Sequence, residues 1–270
     1  MQVIKVPGIN GLGRTGGCRD AGNAIINKLD ETYTSERGKP IDRKLLDLEE
    51  IHVNNNNLEE QDKLIYENAL EEFERQDKII FLGGDHSVSY SIARAFLEHC
   101  NKNEKGKEPC LIVFDAHPDC MPAMREPTHE EWLRAIVEKG FPARNVLLVG
   151  ARNSYFEELR FLSEKRIKQI SINEINNNIE EVTDFIMEFA SGKSLYVSLD
   201  IDVIDPAFAP ATNHLEPAGL TSRQMIYVMQ RIAMMKNLKA VDIVEIDIEK
   251  DKKHGSMTTK LGARILAEMI

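Results

Sequence analysis

A chain of 270 residues with 42% hydrophobic content can bury a sizeable core, either as one large α/β domain or as two small ones. Its 44 Asp and Glu outweigh 34 Lys and Arg, for a formal charge of -10, which argues against nucleic acid or another polyanion as partner and favours neutral or cationic ligands. No stretch approaches the roughly 20 apolar residues that span a bilayer, and the opening Met1-Gln2-Val3-Ile4-Lys5-Val6-Pro7 lacks the apolar region of a signal peptide, so a cytoplasmic protein without membrane contact is expected.

In chain order, Val3 to Val6 predicts a first strand. The following Gly8 to Gly17 contains GxGxxG spacing at Gly11, Gly13 and Gly16, with Asp30 at about the distance of a ribose-binding acid. Because Pro7 interrupts the strand-to-turn junction, a flexible surface loop edging a pocket is the preferred reading. Leu45 to Val53 can hold a strand, Asn54 to Asn57 a loop, and Leu58 to Arg75 has helical spacing. Lys78 to Leu82 is an apolar strand that stops at Gly83-Gly84-Asp85-His86-Ser87, and Val88 to His99 reads as a helix. Asn101 to Pro109 is a polar connector into Leu111-Ile112-Val113-Phe114, which runs straight into Asp115-Ala116-His117-Pro118-Asp119.

Asp115, His117 and Asp119 stand two apart, so all three lean to one side if the extended conformation persists past Phe114. The bland alternative is a helix N-cap with a nearby histidine. Cys120 to Pro127 lacks strand character, and a helix is expected from about His129 to Lys139. Then come a strand at Asn145 to Gly150, a helix near Tyr155 to Lys165, a strand at Ile167 to Ile172 and a helix at Ile179 to Ala190. Ser194 to Asp202 forms a strand ending in Asp200 and Asp202, followed by a helix at Ser222 to Met235, a strand at Ala240 to Ile246 carrying Glu245, and a closing helix from about Thr258 to Met269.

Short apolar strands alternating with helices, without a hairpin signal, predict a parallel sheet covered on both faces. Ligands bind beyond the carboxyl ends of such strands, and His86, Asp115, His117, Asp119, Asp200, Asp202 and Glu245 all fall there. Two histidines and four aspartates exceed what one tetrahedral metal requires. No thiolate is well placed: Cys18, Cys100, Cys110 and Cys120 form no CxxC pair, and the side chain of Cys120 should point away from that of Asp119. The set suits two harder divalent ions sharing carboxylates, with manganese the best match. Two such cations would cancel the charge of four crowded carboxylates and would bring a bridging water's pKa near neutrality.

In this order, Gly83-Gly84-Asp85-His86-Ser87, Asp115-Ala116-His117-Pro118-Asp119 and Ser198-Leu199-Asp200-Ile201-Asp202-Val203-Ile204-Asp205-Pro206 resemble the three signature motifs of the ureohydrolases, the arginase and agmatinase family. The resemblance extends over nearly the whole chain. It implies a single catalytic domain over residues 1–270, with an arginase-like three-layer αβα fold and a mostly parallel central sheet. It also implies a binuclear manganese hydrolase that cleaves a linear guanidino compound, agmatine-like or arginine, to urea and an amine, and a homo-oligomer, trimer or hexamer. By the same resemblance, His86, Asp115, Asp119 and Asp200 would hold one manganese, and Asp115, His117, Asp200 and Asp202 the other. Asp119 would also accept a proton and pass it towards the leaving amine, Glu245 would pair with the substrate guanidinium, and His129 would shuttle protons.

The chain departs from the family's pattern at several points. Glu130 follows His129 where glycine is usual, and Ala211-Thr212-Asn213-His214-Leu215-Glu216-Pro217-Ala218-Gly219-Leu220 replaces a Gly-Thr-Gly-Thr-Pro type loop. Between Cys120 and Arg125, only Arg125 could hold a substrate carboxylate. These features tilt the expectation towards an agmatine-like or guanidino-acid substrate over arginine. Two alternatives stand beside it: formimidoylglutamate hydrolysis, with Arg125 or Arg152 as carboxylate partner, and a degenerate member that binds metal without catalysis.

Overall fold

A strand that is apolar on both faces must be covered on both faces, and the sheet of this protein is built from such strands. The computed structural model describes residues 1–104 and 106–270. Eight strands, β1 Gln2–Val6, β2 Asp47–Glu50, β3 Ile79–Gly83, β4 Pro109–Phe114, β5 Val146–Val149, β6 Lys168–Ile170, β7 Ser194–Asp200 and β8 Leu238–Val244, form one sheet in the order β2-β1-β3-β8-β7-β4-β5-β6. Every strand pairing among the described residues is parallel, so the mostly parallel sheet expected from sequence is parallel throughout.

The helices are α1 Ala21–Leu29, α2 Leu58–Arg75, α3 Val88–Asn103, α4 Trp132–Glu138, α5 Phe156–Lys165, α6 Ile172–Asn177, α7 Ile179–Ala190, α8 Ser222–Ala233, α9 Ile248–Asp251 and α10 Met257–Met269. They cover the sheet in two layers. Alternate residues of one strand feed the two cores: Cys110, Ile112 and Phe114 of β4 join residues of α1, α7, α8 and α10, whereas Leu111 and Val113 join residues of α2, α3, α4 and α5. This is the period-2 geometry of a strand acting inside a uniformly apolar run. At the edges, β2 and β6 carry the charged and polar side chains that exposed edges require.

The order of winding positions the site. The chain lays β1 to β3 side by side with β2 outermost, jumps over two positions to β4, extends outward through β5 and β6, and returns to fill the gap with β7 and β8. Ligands gather beyond the carboxyl ends of strands where the winding reverses. The four strands that carry the candidate residues, β3, β8, β7 and β4, are neighbours there.

Local chemistry moved several predicted boundaries. The strand expected over Leu45 to Val53 shrinks to β2, because Asp42 caps a turn at Arg43–Leu45 by accepting from the Lys44 amide. The helix expected from His129 begins only at Trp132, since Thr128 and Glu131 close a turn through Thr128 N to Glu131 Oε1 at 3.1 Å. The stretch Ile167 to Ile172 splits into β6 and α6, with Ser171 and Glu174 forming a capping box between them. The connector expected over Asn101 to Pro109 gives its first residues to α3, and its position 105 lies outside the described residues. Helix α1 was not foreseen. Among the described residues no helix is long and apolar enough to cross a membrane.

Candidate active site

The exit of β3 is shaped by a close backbone approach. A Cβ at Gly84 would lie 1.9 Å from the Gly8 carbonyl oxygen, so only glycine fits. Buried Asp85 then ties the GxGxxG loop down: it accepts from the Asn10 amide at 2.7 Å and from Thr15 Oγ1 at 2.6 Å. The loop does edge a cavity, through Arg14, but it is anchored at Asp85 rather than loose.

His86 follows, fully buried. Its Nε2 lies 2.9 Å from Ser198 Oγ, which in turn donates to Asp242 Oδ1 at 2.8 Å. That chain engages the Nε2 proton and leaves the lone pair on Nδ1. Nδ1 lies 3.0 Å from Asp115 Oδ2, 3.0 Å from Asp119 Oδ2 and 3.2 Å from Asp200 Oδ2. Yet neither His86 Nδ1 nor Asp115 Oδ2 has a hydrogen-bond partner. Buried polar atoms that approach closely without bonding one another could serve as ligands to a shared cation.

The second half is built alike. His117 Nδ1 lies 2.9 Å from Asp202 Oδ2 and 3.6 Å from Asp115 Oδ1. The spare oxygens are held by amides: Asp115 Oδ1 accepts from His117 N at 2.7 Å, Asp202 Oδ1 from Ala116 N at 3.0 Å and Asp200 Oδ1 from Asp202 N at 2.8 Å. Two groups, His86 with Asp115 and Asp200, and Asp115 with His117 and Asp202, each bring their ligand atoms within 4.8 Å of one another, and Asp115 belongs to both. The donor set, two imidazoles and four carboxylates, fits two divalent cations.

Extended alternation is not what brings these groups together. β4 ends at Phe114, and Asp119 sits at φ +50°; β7 ends at Asp200, with Asp202 inside a 3-10 turn; Glu245 follows β8 at φ +64°. A non-glycine residue in the left-handed region costs roughly 1–3 kcal/mol, and two of them stand in this cluster.

Burial and the crowding of like charges shift the protonation of these groups. Burial, and then the neighbouring Asp115, push the Asp119 carboxyl up to about 7. Burial, with Asp202 and Asp115 nearby, pushes Asp200 well above the carboxylate range. Asp115 is held low against the effect of burial by the adjacent His117 and His86 imidazoles. In the same way the carboxylates raise both imidazoles, although burial opposes their charge. Cations rather than protons would leave all four carboxylates ionised.

A cavity of about 340 Å³ opens onto Asp119, Asp200, Asp202 and Glu245 and is also lined by His129, Glu130, His214 and Glu216. Sequence reasoning gave His129 and Glu245 separate roles; the structure pairs them, His129 Nδ1 to Glu245 Oε1 at 3.1 Å, both buried. Glu245 Oε1 also accepts from the His86 amide at 3.0 Å. Burial opposes the charge on both partners, but their mutual bond raises His129 to about 9 and lowers Glu245.

The two arginines considered as carboxylate partners are committed elsewhere. Arg125 is exposed and pairs with Glu59 and Glu126 at 3.1 Å each. Arg152 donates to the carbonyls of Glu216 at 2.6 Å, Asp202 at 2.9 Å and Pro217 at 3.0 Å, pinning the 211–219 loop. Glu216 in that loop lies 3.4 Å from His117 Nε2 and accepts from Asn153 Nδ2 at 2.5 Å. Cys120 is turned away, its thiol 3.1 Å from the Pro118 carbonyl.

Three contacts escaped the sequence. Trp132 Nε1 donates to Asp119 Oδ2 at 2.9 Å, the Cys18 thiol lies 3.7 Å from Glu245 Oε2, and Arg14 lines the cavity. Only the last had a signal, the reading of its loop as a pocket edge.

Fold and cluster together define an α/β protein with a metal-type, carboxylate-rich centre at the carboxyl end of a parallel sheet. The family described as "Arginase family" matches residues 2–270, and the chain belongs to that family. Mitochondrial arginase 1 of Oryza sativa subsp. indica is 31% identical over 193 residues, 70% of this chain and 54% of that protein. The agmatinase of Bacillus subtilis (strain 168) is 31% identical over 192 residues, 70% of this chain and 61% of that protein. The chain thus matches little more than half the length of these curated relatives. Among solved structures, proclavaminate amidino hydrolase from Streptomyces clavuligerus superposes with a TM-score of 0.87 at 23% identity, covering 99% of this chain and 89% of that one. Formimidoylglutamase from Bacillus subtilis subsp. subtilis str. 168 gives 0.86 at 21% identity, covering 99% and 85%. At these identities the likeness concerns the fold.

Proposed function

We propose that the protein is a binuclear metal-dependent hydrolase that splits a C–N bond of a linear guanidino compound to urea and an amine. Its 270 residues act in this reading as one cytoplasmic catalytic domain that assembles as a trimer or hexamer. The observation that carries the reading is the pair of ligand clusters sharing Asp115, whose members His117, Asp200 and Asp202 line the cavity. Family relatives named arginase, agmatinase and N(1)-aminopropylagmatine ureohydrolase support it.

His86, Asp115, Asp119 and Asp200 would hold one cation and Asp115, His117, Asp200 and Asp202 the other, manganese in our reading; when bound, the pair supplies Lewis acidity and an ionised water at neutral pH. The remaining work falls to the chain itself. Glu245, buried and held ionised by His129, presents an anion in a low-dielectric wall, and a guanidinium is the cation that matches a carboxylate bidentately. Asp119, fixed between His86 Nδ1 and Trp132 Nε1, faces the cavity and is placed to accept the proton that the ionised water still carries and to pass it towards the leaving nitrogen. His129, charged beside Glu245, hands a proton towards the departing amine.

Substrate choice follows from the cavity wall. With Arg125 and Arg152 committed elsewhere and Glu130 and Glu216 present, the wall suits a cationic tail better than a carboxylate, so an agmatine-like amine is the preferred substrate. Formimidoylglutamate hydrolysis is the second reading, favoured by Arg14 at the rim. The deciding experiment is to assay urea release by the manganese-loaded protein with agmatine, arginine, guanidinobutyrate and guanidinopropionate, and formamide release with formimidoylglutamate. Preference for agmatine by tenfold or more in kcat/KM supports the proposal, and formamide without urea replaces it with the second reading.

A further inference from the structure

Glu130 and His214, two residues at which the chain departs from its family's pattern, meet in the structure beside His129. Each of the three offers one ligand atom, and these atoms lie within 4.8 Å of one another. The His129 and His214 rings are 5.3 Å apart between centroids. His129 Nδ1 is taken by Glu245 Oε1 at 3.1 Å, which leaves Nε2 facing the group, 4.0 Å from Glu130 Oε1. His129 Nε2 and His214 Nε2 are both buried, and neither has a hydrogen-bond partner. A buried nitrogen left without a partner costs about 1–3 kcal/mol, and two on adjacent rings call for a common one.

We propose that His129, Glu130 and His214 form a further, mononuclear site for a divalent transition metal of the zinc class, in the cavity wall beside the candidate binuclear centre. Two imidazole nitrogens and one carboxylate are a zinc donor set that leaves a fourth position open. The set is poor in oxygen compared with the four-carboxylate centre, and nitrogen-rich sites select zinc over manganese or magnesium. Glu245 stands behind His129 as the carboxylate that fixes a metal-binding imidazole's tautomer and orientation. Contraction by under about 1 Å brings the ligand atoms to the roughly 2.1 Å of a zinc bond. Glu130 has room to move, its side chain being 40% exposed. A metal here occupies the nitrogen that His129 needs for proton transfer, so zinc inhibits the enzyme; this consequence, unlike the site, rests on the function proposed above.

The test is equilibrium dialysis of the manganese-loaded protein against zinc, with both metals counted per chain. The expected result is one zinc in addition to two retained manganese. Glu130→Ala and His214→Ala should each weaken the zinc equivalent at least tenfold without lowering manganese content. Glu130 is partly exposed, so its variant keeps the test valid if the His214 variant fails to fold. X-ray absorption at the zinc edge should show two imidazole nitrogens. Zinc that merely replaces manganese, or binds both variants as tightly as the unmodified protein, overturns the site. Zinc sensitivity of urea release should fall at least tenfold in Glu130→Ala relative to its own zinc-free rate, and equal sensitivity overturns the inhibitory role. If no guanidino compound is cleaved, the metal counts still decide the site.

Discussion

Replacing Trp132 by phenylalanine tests how Asp119 is held. Trp132 is wholly buried, donates from Nε1 to Asp119 Oδ2 at 2.9 Å and packs against the His86 ring at 4.6 Å between centroids. Phenylalanine keeps an aromatic surface for His86 but removes the donor. A hydrogen bond to a charged group contributes about 1.5–3 kcal/mol, and about 1.4 kcal/mol corresponds to a factor of ten. Trp132→Phe should therefore lower kcat/KM for urea release by roughly 10- to 150-fold, measured on manganese-saturated protein. The smaller ring also leaves a void, which should lower stability by about 1–3 kcal/mol, read separately from thermal unfolding. If kcat/KM stays within twofold of the unmodified enzyme while Asp119→Ala is inactive, Trp132 has no part in positioning that carboxylate.

Asp119→Ala should abolish urea release and lower the metal content below two per chain, measured by elemental analysis of dialysed protein. Glu245→Gln should keep both metals and lose activity by at least about 100-fold, since a charge-assisted pairing is lost; near-normal turnover would show that Glu245 is not the guanidinium partner. Arg152→Ala frees the 211–219 loop from two close carbonyl contacts and removes a third to Asp202, and discounting for partial exposure we expect a loss of about 2 kcal/mol, or a fall in melting temperature of about 4–8 °C. Away from the site, burial raises the Asp62 carboxyl from 3.8 to about 7. A raised carboxylate contributes stability that is fully present below its unfolded pKa and is lost as pH rises through the folded value. Asp62→Asn should thus stabilise the protein by about 2 kcal/mol at pH 8 and progressively less towards pH 4, measured as melting temperature across that range.

The parallel sheet was legible because strands such as Ile79–Gly83 and Pro109–Phe114 are apolar on both faces, and the candidate ligands because they stand in three recognisable motifs at strand ends. What was not legible depends on partners far apart in sequence or on backbone angles that side-chain patterns do not report. The Asp119 and Glu245 backbones turn left-handed with no glycine to announce it. The His129–Glu245 pair joins residues 116 apart, so two roles assigned separately share one hydrogen bond. Arg152 was available on paper as a carboxylate partner, yet the carbonyls of the 211–219 loop consume its guanidinium. Helix α1, Ala-Gly-Asn-Ala-Ile-Ile-Asn-Lys-Leu, hid behind a glycine and two asparagines, and its apolar face counted only once α10 packed against it.

The claim that a shared-carboxylate centre drives hydrolysis is tested most directly by removing and restoring the metal. The protein is stripped by chelation, reloaded with manganese to saturation, and assayed for urea from agmatine and arginine at each step. The account predicts two manganese per chain, with urea release lost on stripping and recovered on reloading. Two manganese per chain without urea or formamide from any guanidino or formimidoyl compound would contradict it and leave a metal-binding protein without this catalysis.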